Sequence, residues 1–122
     1  MARRKLGPSE AGEVRTLLHL LDLAHLWCQD GPEIQLPRVL TMLDRVTGDP
    51  GSERTRRRMW GRLLTRLRRE WGAHVSIREE RHLGDSAAAS ILTTSYVWPS
   101  SDAHRVRTAI GWRLDRRAHI VA

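Results

Sequence analysis

Residues 52–71 read SERTRRRMWGRLLTRLRREW, and this is the segment that decides the fold. With about 100° of rotation per residue, it has one apolar side and one basic side. The apolar stripe consists of Trp60, Leu63, Leu64, Leu67 and Trp71. The opposite stripe consists of Arg54, Arg58, Arg62 and Arg69. The pattern predicts an amphipathic helix that buries one side in a core and presents the other to an anionic partner.

Both ends of this helix are marked in the sequence. The hydroxyl of Ser52 can cap the first free backbone amides, and Gly72 is suited to ending the helix. The segment holds eight arginines against two acidic residues, an excess that solubility alone does not require. We therefore interpret it as a helix that contacts nucleic acid. The alternative is an arginine-rich solvated face without a ligand.

Length and charge set the frame for the whole chain. With 122 residues it is long enough for one domain, and its formal charge of +7 and pI of about 11.3 favour phosphate backbones as partners. It has no apolar run of about 18 residues, and its first residues lack the apolar middle of a signal peptide. A single cysteine fits a reducing compartment. These features predict a soluble, cytoplasmic protein.

Two further helices are predicted before the arginine-rich one. The first spans about residues 9–29, after a basic flexible arm at residues 1–8, and the second spans about residues 36–47. The sequence between residues 47 and 51 is typical of a turn. Two helices joined by a short glycine-containing turn, the second of them basic, indicate a helix-turn-helix.

The first helix is apolar around most of its circumference. Its main stripe contains Leu17, Leu21 and Cys28, and a second apolar group widens it. That second group consists of Leu20, Leu23, Leu26 and Trp27. Such a helix is either central to a core or shared between two copies. We favour a homodimer with the second group as its interface, and the competing interpretation is a monomer whose later strands wrap the helix.

After Gly72 the pattern changes from helical to alternating. Strands are predicted at about residues 73–79, 90–98 and 105–120, with Gly111 as a bulge or a point of close approach in the last. The segment SILTTSYVW, residues 90–98, is rich in β-branched and aromatic residues. The fold class is therefore α+β, with three helices followed by a small antiparallel sheet.

Two stretches resemble the winged helix-turn-helix domain of bacterial transcriptional regulators. RLLTRLRREWGAHVSIRE, residues 62–79, is similar to the end of a recognition helix and the first wing strand. VRTAIGWRLD, residues 106–115, is similar to the closing strand of response-regulator-type winged helices. The strands are too far apart for a simple two-stranded wing. Either the wing is extended and carries the 90–98 strand, or the sheet is larger than in a winged helix.

The resemblance also implies which residues contact DNA. The recognition-helix positions correspond to Thr55, Arg56, Arg58, Arg62 and Thr65. Arg78 and Arg81 correspond to the wing. Arginine can contact phosphates and can donate two parallel hydrogen bonds to a guanine edge. We therefore expect a non-enzymatic protein that binds double-stranded DNA and regulates transcription.

Other functions find less support in the residue patterns. His25 and Cys28 have the spacing of metal ligands but lack a second pair, so neither a metal nor another cofactor is predicted. His74, His82 and His104 could serve a metal-independent ribonuclease, which is a lesser alternative. The main alternative is a protein-interaction or assembly module, for example a phage-type adaptor, whose basic face is incidental. Sequence preference in DNA binding would distinguish it from a regulator.

Overall fold

The computed structural model describes residues 8–47, 51–84 and 91–121. Within these ranges the chain forms four helices and three strands. They are α1 (Pro8–Asp30), β1 (Glu33–Gln35), α2 (Leu36–Thr47), α3 (Glu53–Trp71), β2 (Ser76–His82), β3 (Ile91–Val97) and α4 (Ser100–Val121). The predicted α+β class is confirmed. Residues 1–7 of the predicted basic arm lie outside the described residues.

The three strands form an antiparallel sheet in the order β1, β3, β2. Ile34 of β1, Tyr96 of β3 and Ile77 of β2 are aligned across it. Aligned residues share one face of a sheet, and Tyr96 contacts the ring of Trp60 in α3, so this face is turned towards the helices. β2 and β3 form a hairpin close to the predicted strands, whereas β1 was not predicted.

The three predicted helices are present within a residue or two of their expected bounds. Ser52 accepts a hydrogen bond from the Thr55 amide (3.1 Å) and so caps α3 as predicted. Gly72 ends the helix with a left-handed backbone (φ 62°), a conformation that side chains other than glycine rarely adopt. The five residues of the predicted apolar stripe are all buried.

The strand predicted at about residues 105–120 is wrong, because this segment belongs to α4. Val106 and Ile110 were interpreted as members of an alternating strand. Together with Ala103 they are fully buried at intervals of three and four residues, which is helical spacing. Gly111 consequently lies inside a helix and is not a β-bulge. The likeness of residues 106–115 to a closing strand loses its structural basis.

The interface predicted on the first helix is also wrong. Leu20, Leu23, Leu26 and Trp27 are at most 2% exposed within a single chain. α4 packs antiparallel along α1, since Arg117 binds Glu13 near the start of α1 (2.6 Å) while the indoles of Trp27 and Trp98 meet near its end. The competing interpretation placed later strands around α1, whereas the segment that packs along it is the helix α4.

An aromatic cluster forms the centre of the core. The indoles of Trp27 in α1 and Trp60 in α3 stack with ring centroids 5.8 Å apart. Tyr96 meets Trp60 edge to face at 5.0 Å, and its carbonyl accepts a hydrogen bond from the Trp27 indole. Trp98, in the link between β3 and α4, packs against Trp27. The cluster therefore fixes α3 against the sheet and α1, leaving the opposite side of α3 exposed.

Asp102 joins the end of α3 to the start of α4. Its carboxylate accepts hydrogen bonds from the His74 amide and the Trp98 indole, both at 2.8 Å, and from the Arg105 guanidinium. Arg105 also donates to the carbonyls of Trp71 and Gly72. Burial acts to raise the pKa of Asp102, but these hydrogen bonds and the Arg105 charge outweigh it and lower the pKa to about 2. The carboxylate is thus charged at neutral pH and holds the junction together.

In the part of the chain that the structure describes, no helix is long and apolar enough to cross a membrane.

Candidate nucleic-acid interface

The outward side of α3 carries four arginines, which we call the arginine stripe. It consists of Arg54, Arg58, Arg62 and Arg69. All four are exposed, and within residues 8–47, 51–84 and 91–121 none of them has an ion pair or a hydrogen bond to a side chain. With a rise of about 1.5 Å per residue, the stripe extends about 22 Å along the helix. Its charges are free to meet an external anion.

The other four arginines of α3 are engaged within the molecule. Arg57 pairs with Glu53 (3.3 Å) and Arg66 pairs with Glu70 (3.1 Å), each across one helical turn. Arg68 donates to the carbonyl of Val75 just beyond the helix. The fourth, Arg56, bonds to α2. Position on the helix therefore separates arginines with internal partners from arginines without them.

Arg56 is not part of the exposed surface predicted from the winged-helix resemblance. Its guanidinium donates to both carboxylate oxygens of Asp44 in α2, at 3.0 and 2.9 Å, and its side chain is only 24% exposed. It fixes the angle between α2 and α3, so its assignment as a DNA-contacting residue is corrected. The partner lies on another helix, and no local pattern around Arg56 could have shown it.

The two threonines predicted at the interface are exposed on α3. Thr55 lies in the first turn, where its hydroxyl is 2.9 Å from the Ser52 hydroxyl. The Thr65 hydroxyl donates to the carbonyl of Gly61 within the helix (2.9 Å). Because that hydrogen is already used, Thr65 offers an outside partner a methyl group and an acceptor oxygen.

Gly61 is a further element of this surface that the sequence interpretation missed. It is exposed on α3, one helical turn after Arg57 and Arg58, and a Cβ added there would meet no atom within 4 Å. A glycine inside a helix costs about 0.5–1 kcal/mol relative to alanine, and nothing in the packing requires one here. It does leave a gap in the side-chain layer through which another molecule can approach the backbone. The interior glycine of an arginine-rich helix was the signal available.

The two arginines predicted at a wing, Arg78 and Arg81, do not act together. They are three residues apart on β2, so their side chains leave opposite faces of the strand. Arg78 pairs with Glu33 of β1 (3.3 Å) and with Glu80. Arg81 is exposed, has no ionic partner among the described residues, and lies on the helix-facing side of the hairpin with Ile77. Of the pair, Arg81 is the better candidate for an anion contact.

The histidines considered for catalysis are on separate elements. His74 follows α3 and lies 3.4 Å from Asp102, His82 ends β2 beside Glu80, and His104 is on α4. The two residues with the spacing of metal ligands lie close together on α1. His25 lines a groove between α1 and α4, and Cys28 is partly buried against the core. Across the described residues, no group of three or more histidine, cysteine, aspartate or glutamate side chains could hold a metal ion.

A cleft of about 560 Å³ adjoins the arginine stripe, between α1 and α3. Arg62 and Thr65 line one wall, and His19 of α1 lines the other. Burial lowers the pKa of His19; the charge of Asp22 opposes this shift and that of Arg15 adds to it. At neutral pH the imidazole is therefore uncharged, and the positive charge at the cleft comes from the arginines.

Comparison with protein-family models, with curated proteins and with solved structures gave no significant match.

Proposed function

We propose that this chain is a winged helix-turn-helix protein that docks the arginine stripe on duplex DNA and regulates transcription. The observation that carries the proposal is the division among the arginines of α3. The four without internal partners share one side of the helix, and the four with internal partners lie elsewhere. A solvated face with no ligand does not require its arginines to lack internal partners. A face that replaces counterions along a phosphate backbone does, because its charges must be available to the phosphates.

The arrangement of elements around α3 supports the same proposal. α2 and α3 are consecutive helices joined by a short connection, and the ion pair between Arg56 and Asp44 fixes them against each other. In a helix-turn-helix the second helix enters the major groove, and here that helix is the basic one. The β2–β3 hairpin follows α3 along the chain, in the order expected of a wing.

Charge and shape suggest how the contact is made. Arg54, Arg58 and Arg62 follow one another at about 6 Å, so they can track one wall of a groove that is about 12 Å wide. Most of these contacts would be to phosphates, which position the helix, and the remainder would be to base edges. Because Gly61 has no side chain, the helix backbone can lie close to the DNA one turn beyond Arg58.

The test is a selection on random duplex DNA at about 150 mM salt, where weak non-specific binding is suppressed. The wild-type protein is compared with the variant Arg58→Ala plus Arg62→Ala. A matched control, Arg57→Ala plus Arg116→Ala, removes the same two charges from exposed positions off the stripe. We expect wild type and control to enrich one motif, and the stripe variant to lose it with an unchanged thermal midpoint.

The salt dependence gives a second, quantitative readout. Each phosphate contact contributes about 0.9 to the slope of log affinity against log salt, so the stripe variant should lower that slope by about 2 if both arginines contact phosphates. The control should leave it unchanged. Equal losses in the two variants, or binding without any sequence preference, would overturn the proposal and favour the protein-interaction module.

A further inference from the structure

Trp112 is exposed in a chain that buries its other tryptophans. Trp27, Trp60, Trp71 and Trp98 are at most 9% exposed, whereas Trp112 on α4 is 66% exposed. A tryptophan side chain presents roughly 200 Å² of mostly apolar surface, and leaving it in water forgoes a large hydrophobic stabilisation. Exposed aromatic residues of this kind are enriched at protein contacts.

A groove lies beside Trp112 on the same face of the molecule. It runs between α1 and α4 with a volume of about 700 Å³, and Trp112 forms part of its rim. Leu21 and His25 of α1 form one side, and Arg107 and Gly111 belong to the α4 side. No side chain fills the space at Gly111, where an added Cβ would meet no atom within 4 Å.

We propose that this α1–α4 face is the contact surface for a second copy of the same chain, with Trp112 of each copy covering the groove of the other. A projecting ring and a groove that can receive it lie side by side on one face. A two-fold symmetric contact needs that arrangement, because the same patch must serve both partners. The self-complementarity of the surface therefore favours a second copy of the chain as its occupant.

The charges at the groove are self-complementary as well. Asp22 and Asp115 supply negative charge, and Arg107 supplies positive charge. Within the described parts of the chain, Asp115 and Arg107 have no ion pair. Across a two-fold axis, a contact between two different residues occurs twice, once in each direction between the copies. Arg107 of one copy can therefore approach an acidic residue of the other, and the exchange occurs twice.

The face is large enough for a stable contact. α1 and α4 have 23 and 22 residues, which corresponds to lengths of about 33 Å. Two adjacent helices about 10 Å wide then present roughly 700 Å², close to the 800 Å² per partner of a standard interface. Asp22 and His25 line this groove, whereas Thr16 and His19 line the cleft towards α3. The contact thus uses another side of α1, and the inference does not rest on DNA binding.

Sedimentation equilibrium combined with tryptophan fluorescence tests the inference. We expect the wild-type protein to be dimeric, and Trp112→Ala to be monomeric, between about 1 and 100 μM, since interfaces of this size reach micromolar affinity or better. Below the dissociation constant the wild-type emission should shift to longer wavelength as Trp112 becomes exposed. In Trp112→Ala the emission should not depend on concentration, because the remaining tryptophans are buried within one chain.

A second variant and a control make the test specific. Gly111→Leu extends a side chain from the groove lining, and its Cβ would meet no atom within 4 Å, so we expect the variant to fold and to fail to dimerise. Leu83→Ala removes an apolar side chain that is 78% exposed beyond β2 and should leave the dimer intact. A wild-type protein that stays monomeric at about 100 μM would overturn the inference. So would dimers that persist in both Trp112→Ala and Gly111→Leu.

Discussion

The outward faces of α3 and α4 differ in how favourably their exposed side chains interact with water. α3 presents the arginine stripe, whose charges are stable in water without any partner. α4 presents Trp112, whose ring is not well accommodated in water. Exposure alone therefore says little about the stripe. What distinguishes it is that the other α3 arginines have internal partners. For Trp112 the exposure is itself the signal.

The inward faces of the same two helices meet at one junction. Arg113 of α4 lies over the ring of Trp71 at 4.4 Å, and Asp102 bonds to the His74 amide just after α3. A cation over an indole adds about 0.5–2 kcal/mol to the packing. If the two outward faces have separate functions, removing contacts at the inward junction should destabilise the fold, whereas truncating exposed side chains on either outward face should not.

The largest effect on stability is expected from Trp71→Ala. Trp71 is 9% exposed, so truncating it removes a large buried ring and the Arg113 contact, and the free energy of unfolding should fall by about 3–5 kcal/mol. Trp112→Ala should change it by less than about 0.5 kcal/mol when the chain is monomeric. Urea denaturation at low protein concentration measures both. Similar losses in the two variants would remove the distinction between the inward and outward positions.

The accuracy of the sequence interpretation also differs between these helices. In α3 the apolar residues keep helical spacing throughout, and Ser52 and Gly72 mark the ends, so the prediction gave its bounds and both faces. In α4, Val106, Thr108 and Ile110 occupy alternate positions as in a strand. Val106 and Ile110 also fit a helical stripe with Ala103 and Leu114. A short segment that satisfies both periods cannot be assigned from its pattern alone.

Tertiary contacts explain the other features of the fold that the sequence did not predict. The broad apolar surface of α1 indicated that something covers it, but only the packing of α4 shows what does. β1 is only three residues long, and it is a strand because it pairs with β3. The stripe itself could be predicted from periodicity. The exclusion of Arg56 could not, because it depends on Asp44 of another helix.

Asp102→Ala is expected to cost about 3 kcal/mol, because it removes charge-assisted hydrogen bonds and leaves the Trp98 indole without an acceptor. The effect should depend on pH. The pKa of Asp102 is lowered from 3.8 to about 2, so its ionised form stabilises the fold fully above the unfolded-state pKa of 3.8. That stabilisation is lost as the pH falls through the folded-state value of about 2.

Denaturation of wild type and Asp102→Ala at a series of pH values measures this contribution. The difference between their free energies of unfolding should be constant near neutral pH and shrink below about pH 4. DNA binding at neutral pH, measured where both proteins remain folded, should be equal. A difference that does not change with pH would show that the carboxylate charge does not hold the junction.

A small gain in stability accompanies the sharpest test of the stripe. Gly61→Ala should raise the free energy of unfolding by about 0.5–1 kcal/mol, since alanine favours the helix and its Cβ meets no neighbour. Gly12→Ala should do the same in α1, where the glycine is equally open. Only Gly61→Ala should weaken DNA binding, because its methyl group occupies the gap in the exposed side-chain layer one turn beyond Arg58. Thermal denaturation and binding titrations on both variants measure these outcomes. A Gly61→Ala protein that is stabilised and binds DNA as tightly as wild type would show that the backbone of α3 does not approach DNA there.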